Sequence, residues 1–416
     1  MEPNTFKTID AFWDYIIIGT GMGGSVLGLN LAKEGKTVLF CEKGLASEKL
    51  NIKGDYPEMT HSNVDASTLQ KAGRRSAPVL DLSFKKPRVY TPFMGEGAGG
   101  SSLLYGMAME RGHVEDFNSW PISYDEIKPY YEEAESLFNV APSKTLNAKN
   151  EEIHDFLITK GLHPYKLPLA SQQDKNCDGC QSYLCSHHNK NHAGNRALAE
   201  ALKYEGVFLL DQCEVQTLKT NSTKVTEVII KRDQQQFSLK ANRIVLAAGA
   251  LETPRILFRS QTQQFPNGLA NSSGQVGKNL MRHLMDLYVL DAKALETSGV
   301  AKQLAFNDFY TLPEGKGGTV QSFGNMPPIK MIKQDLFRDL SFHSRVTKWS
   351  AQLISPLIGY FLKNIISQSV VLASIVEDSP CESNQVLNNT EQTTINYQIQ
   401  DADKKRLNAM RRQLKG

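Results

Sequence analysis

No run of the 416 residues is long and apolar enough to span a bilayer. The N-terminus, MEPNTFKTIDAFWDY, has no basic-then-apolar pattern of a secretion signal. Both absences lead to the expectation of a cytoplasmic protein. An excess of either charge is also missing: 47 basic and 44 acidic residues leave a net charge of +3, which argues against a nucleic-acid partner. Of the cysteines Cys41, Cys177, Cys180, Cys185, Cys213 and Cys381, only the middle three cluster, so no disulfide framework is written into the chain. There is no internal repeat and no low-complexity segment, and no histidine follows His343.

What is present begins with DYIIIGTGMGG, Asp14 to Gly24. Tyr15 to Ile18 reads as a buried strand and SVLGLNLAKEG, from Ser25, as a helix that Gly35 can end. KTVLFCE supplies a second strand finishing on Glu42. The glycines fall in the order that a dinucleotide fingerprint needs. Gly19 allows the turn, Gly21 lets backbone approach a pyrophosphate, and Gly24 lets helix and strand pack closely. Glu42 stands where a carboxylate can accept hydrogen bonds from a ribose. The helix N-terminus adds partial positive charge. This loop predicts a site for ADP, and by itself it leaves NAD and FAD both open.

A second cradle, GEGAGGSSLLYGMAMERG, runs from Gly95 to Gly112, with Ser101 and Ser102 following its glycines. Such a segment can set N–H groups and hydroxyls against phosphate or a flavin ring. A third stretch, ANRIVLAAGALETPRILFRS (residues 241–260), predicts a strand, a turn of small residues and a helix starting near Glu252 and Thr253, with Pro254 in its first turn. An NAD-linked dehydrogenase using only the first loop explains neither of these.

The three stretches together resemble the glucose–methanol–choline (GMC) oxidoreductases, FAD enzymes acting on alcohols. NSSGQVGKNLMRH (271–283) and RGHVEDFNSWPISYDEIKPYYEEAESLF (111–138) continue the resemblance. It implies an α/β fold, a Rossmann-like FAD-binding domain interleaved with an antiparallel-sheet substrate domain. On that division the FAD-binding domain takes residues 10–45, 86–115 and 196–285, and the substrate domain with its connecting segments takes 46–85, 116–195 and 286–416. The resemblance also assigns residues. Gly19, Gly21, Gly24 and Glu42 would hold the ADP half of FAD. Gly97, Gly99, Gly100, Ser101 and Ser102 match the pyrophosphate- and flavin-contacting loop. Val215 matches the position that meets the adenine, and Ala248 and Gly249 the turn beside the cofactor. Tyr105, followed by Gly106, stands where many relatives carry Asn or His. A tyrosine cannot form the histidyl–flavin bond of some relatives, so FAD is expected to be non-covalent.

The family's late segment, which carries the catalytic histidine, has no counterpart here, and the chain is expected to be C-terminally incomplete. No catalytic residue is assigned. The expected function is oxidation of CH–OH groups by hydride transfer to flavin N5. The alternative is a truncated or inactive flavin-binding fragment or subunit needing a second polypeptide for its histidine. The expected partners are a small alcohol, tilted toward an apolar one, and an electron acceptor that the sequence does not choose.

Elsewhere, Ser123 and Glu126 form a capping box for a helix through Phe138, with Pro129 making its first turn irregular. Alternating runs between Val207 and Leu246, then SVVLASIVED (369–378) and TTINYQIQ (393–400), read as strands, the last two in the substrate sheet. NCDGCQSYLCSHHNKNH (176–192) holds C-x2-C-x4-C with His187, His188 and His192. Zinc, an iron–sulfur cluster, loop thiols and a disulfide are all open for it, and the site prediction carries no metal. Val346, Trp349, Leu353, Leu357, Phe361 and Ile365 fall on one helical face, a core stripe or a contact with a membrane surface.

Overall fold

The computed structural model describes residues 9–61, 63–172, 177, 179–291, 302–324, 326–341, 356–357, 359–360, 362 and 369–415. Of the predicted apolar stripe only Leu357 is among them, so that reading lies outside the described residues, as does His343.

The first strand, Phe12–Ile18, is the centre of a six-stranded sheet. Ile16 and Ile17 are fully buried, because a strand sandwiched between helices must be apolar on both faces. It pairs in parallel with Val38–Cys41, which pairs in parallel with Val207–Leu210. The crossover between the first two is the helix Met22–Lys33. That helix begins three residues before the predicted Ser25, because Gly21 adopts an extended N-cap that lets the glycine loop itself become the first turn.

On the other side lies Gln235–Leu246, a strand with two partners. Its first half pairs antiparallel with Lys224–Arg232, and its second half runs parallel to Phe12–Ile18. Glu214–Asn221 completes the sheet, so the region from Val207 to Leu246 yields four strands as its alternation predicts. The helix Gly249–Arg259 follows directly. It starts earlier than the predicted Glu252, which places Pro254 inside the helix rather than in its first turn.

A five-stranded sheet forms the second layer system, in the order His283–Asp291, Ser369–Glu377, Gly318–Ser322, Leu304–Phe306 and Tyr165–Lys166. All its pairings are antiparallel, and Leu304, Phe306, Val320 and Val376 form its core with Ile153, Leu157, Leu407 and Met410 from two helices. Those helices are Ala148–Thr159 and Asp401–Lys415.

Thr393–Asn396 does not join this sheet, contrary to the expectation for TTINYQIQ. It lies between Gln385–Val386 and Val79–Asp81 in a separate four-stranded sheet, parallel to the latter. The buried Thr393 hydroxyl has its partners there, on Arg75 and Glu252, which period-two alternation cannot encode. The Ser123 capping box forms as expected, with Ser123 N donating to Glu126 Oε2 at 2.9 Å, and Pro129 sits within the helix Tyr124–Phe138.

Candidate cofactor site

A cavity of about 880 Å³ opens at the C-terminal ends of the parallel strands. This is the crevice in which open α/β sheets bind their ligands. Its wall holds Gly19, Gly21, Gly24, Glu42, Gly100, Ser101, Ser102, Val215, Ala248 and Gly249, brought together from five separate segments of the chain.

The glycines earn their places by close approach. Gly19 has φ +101°, and a Cβ there would lie 2.5 Å from the Ala247 carbonyl oxygen. On Gly24 a Cβ would sit 2.3 Å from Gly19 O, so helix and strand touch backbone to backbone. On Gly100 it would meet Gly21 Cα at 2.9 Å, which shows the two glycine loops in direct contact. Gly21 and Gly249 differ: a Cβ on either meets no protein atom within 4 Å, because it would project into open space at the cavity wall.

Thr20 locks the two loops together, a role that no local motif announces. It is fully buried; its hydroxyl donates to Glu42 Oε2 at 2.5 Å and accepts from Gly99 N at 3.3 Å. Glu42 Oε2 also accepts from Thr20 N at 3.1 Å, and Oε1 accepts from Gly44 N at 2.9 Å. Burial pushes the Glu42 carboxyl above the usual carboxylate range, against those hydrogen bonds, which favour its charge. The carboxylate therefore shapes the loop as well as lining the cavity. Glu42→Gln would set an NH₂ group against a backbone N–H and is expected to cost about 1–3 kcal/mol in urea unfolding and to weaken cofactor retention.

Four predicted residues stand outside the wall. Gly97 and Gly99, with φ +143° and +117°, bend the loop, and a Cβ on Gly99 would meet Gly194 N and His192 Nδ1. Tyr105 turns away, its hydroxyl donating to Asn191 O while its ring packs among buried apolar residues. Gly106 lies against Gln181 and Lys302. Of the two hydroxyls, Ser101 is exposed at the cavity, whereas Ser102 is buried and committed, donating to Gly99 O at 2.5 Å and accepting from Ala193 N at 3.0 Å.

The wall also contains residues that no local motif announces: Cys41 and Cys213, Lys43, Arg75, Glu96, Glu214, Glu252 and Arg259. A hydrogen bond to Cys213, together with burial, holds the Cys41 thiol well above the ordinary thiol range. Glu252 ties Arg75 and Arg255 at 2.8 Å each. Two buried polar atoms in the wall, Glu96 Oε1 and Arg259 Nε, have no protein partner.

Glycine loops at two helix starts, in the crevice of a parallel sheet and around a cavity of this size, define a dinucleotide-binding α/β protein. The chain belongs to the GMC oxidoreductase family, whose profile matches residues 13–285. It is 25% identical to paromamine 6'-oxidase of Streptomyces fradiae over 79% of this chain and 66% of that enzyme. It is 24% identical to 2-methyl-1,2-propanediol dehydrogenase of Mycolicibacterium austroafricanum over 75% of this chain and 63% of that one. The chain thus spans slightly under two thirds of the length of these relatives. Among solved structures, formate oxidase from Aspergillus oryzae superposes with a TM-score of 0.65 at 14% identity, over 97% of this chain and 80% of that one. The likeness bears on the fold, and it confirms the α/β class. FAD is accordingly the cofactor of this chain, and the residues around the cavity fit it: an open wall at Gly21 and Gly249 and a carboxylate at the strand end.

No helix among the described residues is long and apolar enough to cross a membrane. Nor do the described residues bring together three or more His, Cys, Asp or Glu groups in an arrangement to hold a metal ion.

Proposed function

We propose that this chain oxidises the CH–OH group of a small alcohol at a non-covalently bound FAD. The observation that carries the reading is the contact between the two glycine loops, Gly100 against Gly21, at the mouth of one cavity. Flavin, when bound, supplies an acceptor for the hydride leaving the alcohol carbon. The chain's own residues do the holding. Gly21 and Gly249, at the starts of two helices, would admit the pyrophosphate and the ring system without a side chain in the way, and the helix N-termini favour its charge. Glu42 and Val215 would bracket the ADP half. Tyr105, tied to Asn191, offers no attachment to the flavin, and no histidine lines the cavity among the described residues, which supports non-covalent binding.

That same absence favours the second reading, a flavin-holding part whose proton acceptor comes from another segment or chain. General-base catalysis is typically worth about 10²–10⁴-fold, so the two readings separate cleanly in rate. The purified chain is expected to be yellow and to release its flavin on acid precipitation. Bleaching of that colour by an alcohol, added anaerobically from a panel running from polar to apolar, supports the complete enzyme. Retained colour with every alcohol supports the incomplete one. A colourless protein that takes up no added FAD overturns both.

A further inference from the structure

The edge of a sheet carries unpaired backbone N–H and C=O groups, and soluble proteins guard it with a short strand, outward charges, proline or a bulge. Most edges of the three larger sheets are guarded in this way. Tyr165–Lys166, Gln385–Val386, Arg88–Tyr90 and Val207–Leu210 have at most four residues each. Glu214–Asn221 has eight, but it carries Glu214 and Lys219, and the register shifts twice along its pairing with Lys224–Arg232. His283–Asp291 has none of these devices. It is nine residues long, pairs with Ser369–Glu377 without a break in register, and contains no proline, lysine or arginine. Among the described residues no strand pairs with its other side.

The side chains of this strand sort by face, as period-two alternation requires. Leu284, Tyr288 and Leu290 pack into the core of the five-stranded sheet. Asp286, on the same face, is spent on Arg411, whose Nε and Nη2 donate to it at 2.7 and 2.9 Å, so its charge does not guard the edge. Met285, Leu287 and Val289 stand on the opposite face, 48%, 44% and 51% exposed. The strand, HLMDLYVLD, is also its own complement. Laid antiparallel on a second copy about Leu287, His283 meets Asp291, Leu284 meets Leu290, Met285 meets Val289, and Asp286 meets Tyr288. An exposed imidazole then faces an exposed carboxylate at each end, with apolar pairs between them. Centring the pairing on Asp286 would set that carboxylate against its own twin, and centring it on Tyr288 would set Met285 against Asp291. Like charges directly opposite are destabilising, so charge selects the Leu287 register.

We propose that the chain forms a homodimer through this edge, His283–Asp291 pairing antiparallel with the same strand of a second copy about a two-fold axis at Leu287. The two five-stranded sheets become one sheet of ten strands. Met285, Leu287 and Val289 of both copies make one continuous apolar row. Main-chain hydrogen bonds supply the affinity, and the contacts of His283 with Asp291 fix the register. The interface is the same patch on both copies, as a closed two-fold dimer requires. No residue of the strand lines the cofactor cavity, so pairing and flavin binding are separate readouts.

The test is sedimentation velocity of the whole purified chain from about 1 to about 100 μM, which brackets micromolar affinity. The parent is expected to approach twice its mass of 46.3 kDa as concentration rises. Leu287→Lys sets two ammonium groups against each other at the two-fold axis and is expected to weaken association roughly 100-fold. Because the position is exposed, its melting temperature should match that of the parent. Met285→Lys alone is also expected to weaken association, and adding Val289→Glu to restore it, since each new charge then faces its opposite in the other copy. Only this register predicts that repair, whether or not Leu287→Lys folds. A parent that stays at a single mass throughout, its edge bare or covered by another polypeptide, overturns the proposal. So does a dimer that Leu287→Lys leaves intact, or a loss in Met285→Lys that Val289→Glu does not repair.

Discussion

Gly21→Ala is expected to weaken flavin binding about 100-fold while leaving the apoprotein at least as stable as its parent. The residue has φ −65° and a Cβ there meets no protein atom within 4 Å, so the fold tolerates it. By lowering the entropy of the unfolded chain the substitution gains about 0.4–1 kcal/mol, if anything. The methyl group instead enters the cavity, where a pyrophosphate must approach backbone closely. A loss of affinity on the order of 100-fold, or about 2.7 kcal/mol, is the expected size. Gly24→Ala is the contrasting case. Its Cβ would lie 2.3 Å from Gly19 O and 3.1 Å from the Ala247 Cβ, against backbone that cannot yield. That variant should lose stability by roughly 1–3 kcal/mol whether or not flavin is present. Titration with FAD, and urea unfolding of the apoproteins, separate the two. Full flavin retention by Gly21→Ala would show that this loop is not the phosphate cradle.

Glu252→Gln is expected to be the most destabilising single substitution considered for this chain. Glu252 sits in the first turn of its helix and accepts from Arg75 and Arg255, both buried, and from the Thr393 hydroxyl at 3.1 Å. Removing its charge leaves two buried guanidinium groups without their carboxylate, a loss of about 3–5 kcal/mol. Burial pushes this carboxyl up, but Lys43, Arg255 and Arg75 outweigh it and hold it down at about 2. The stability it contributes is therefore present above the unfolded carboxylate range and is lost as pH falls through about 2. The parent should weaken between roughly pH 4.5 and pH 2 by an amount on the order of 3 kcal/mol, and Glu252→Gln should lack that component. Glu42 and Glu96, which burial raises, act with the opposite sign: their contribution is fully present at low pH and is lost as pH rises through their folded values. Urea midpoints measured across pH 2–7 for parent and variant check the sign. Equal acid slopes would remove Glu252 from the account.

Much of the site was legible because its information is local. A glycine needed for a turn, the helix after it and the acid at the end of the next strand lie within a few dozen residues, from Gly19 to Glu42. The serine pair was legible only in part. Ser101 and Ser102 are neighbours in sequence and both line the cavity, yet Ser101 is exposed there while Ser102 spends its hydroxyl inside the loop. Tyr105 shows the same limit: its distance along the chain from the glycines says nothing about the Asn191 carbonyl that draws it away.

The sequence by itself determined the order of strand, glycine loop and helix, the family, and with it the cofactor. The order of elements follows from backbone sterics and periodicity, which act between near neighbours; the family and the cofactor follow from the resemblance of three such stretches to the GMC oxidoreductases. Tertiary structure alone decided what closes the site. Thr20 finds Gly99, Arg75 reaches Glu252 and Thr393 from far along the chain, and the buried Lys190 ammonium reaches the Leu103 carbonyl. Such pairs are set by burial: a charge or hydroxyl taken out of water must find a partner wherever the fold provides one.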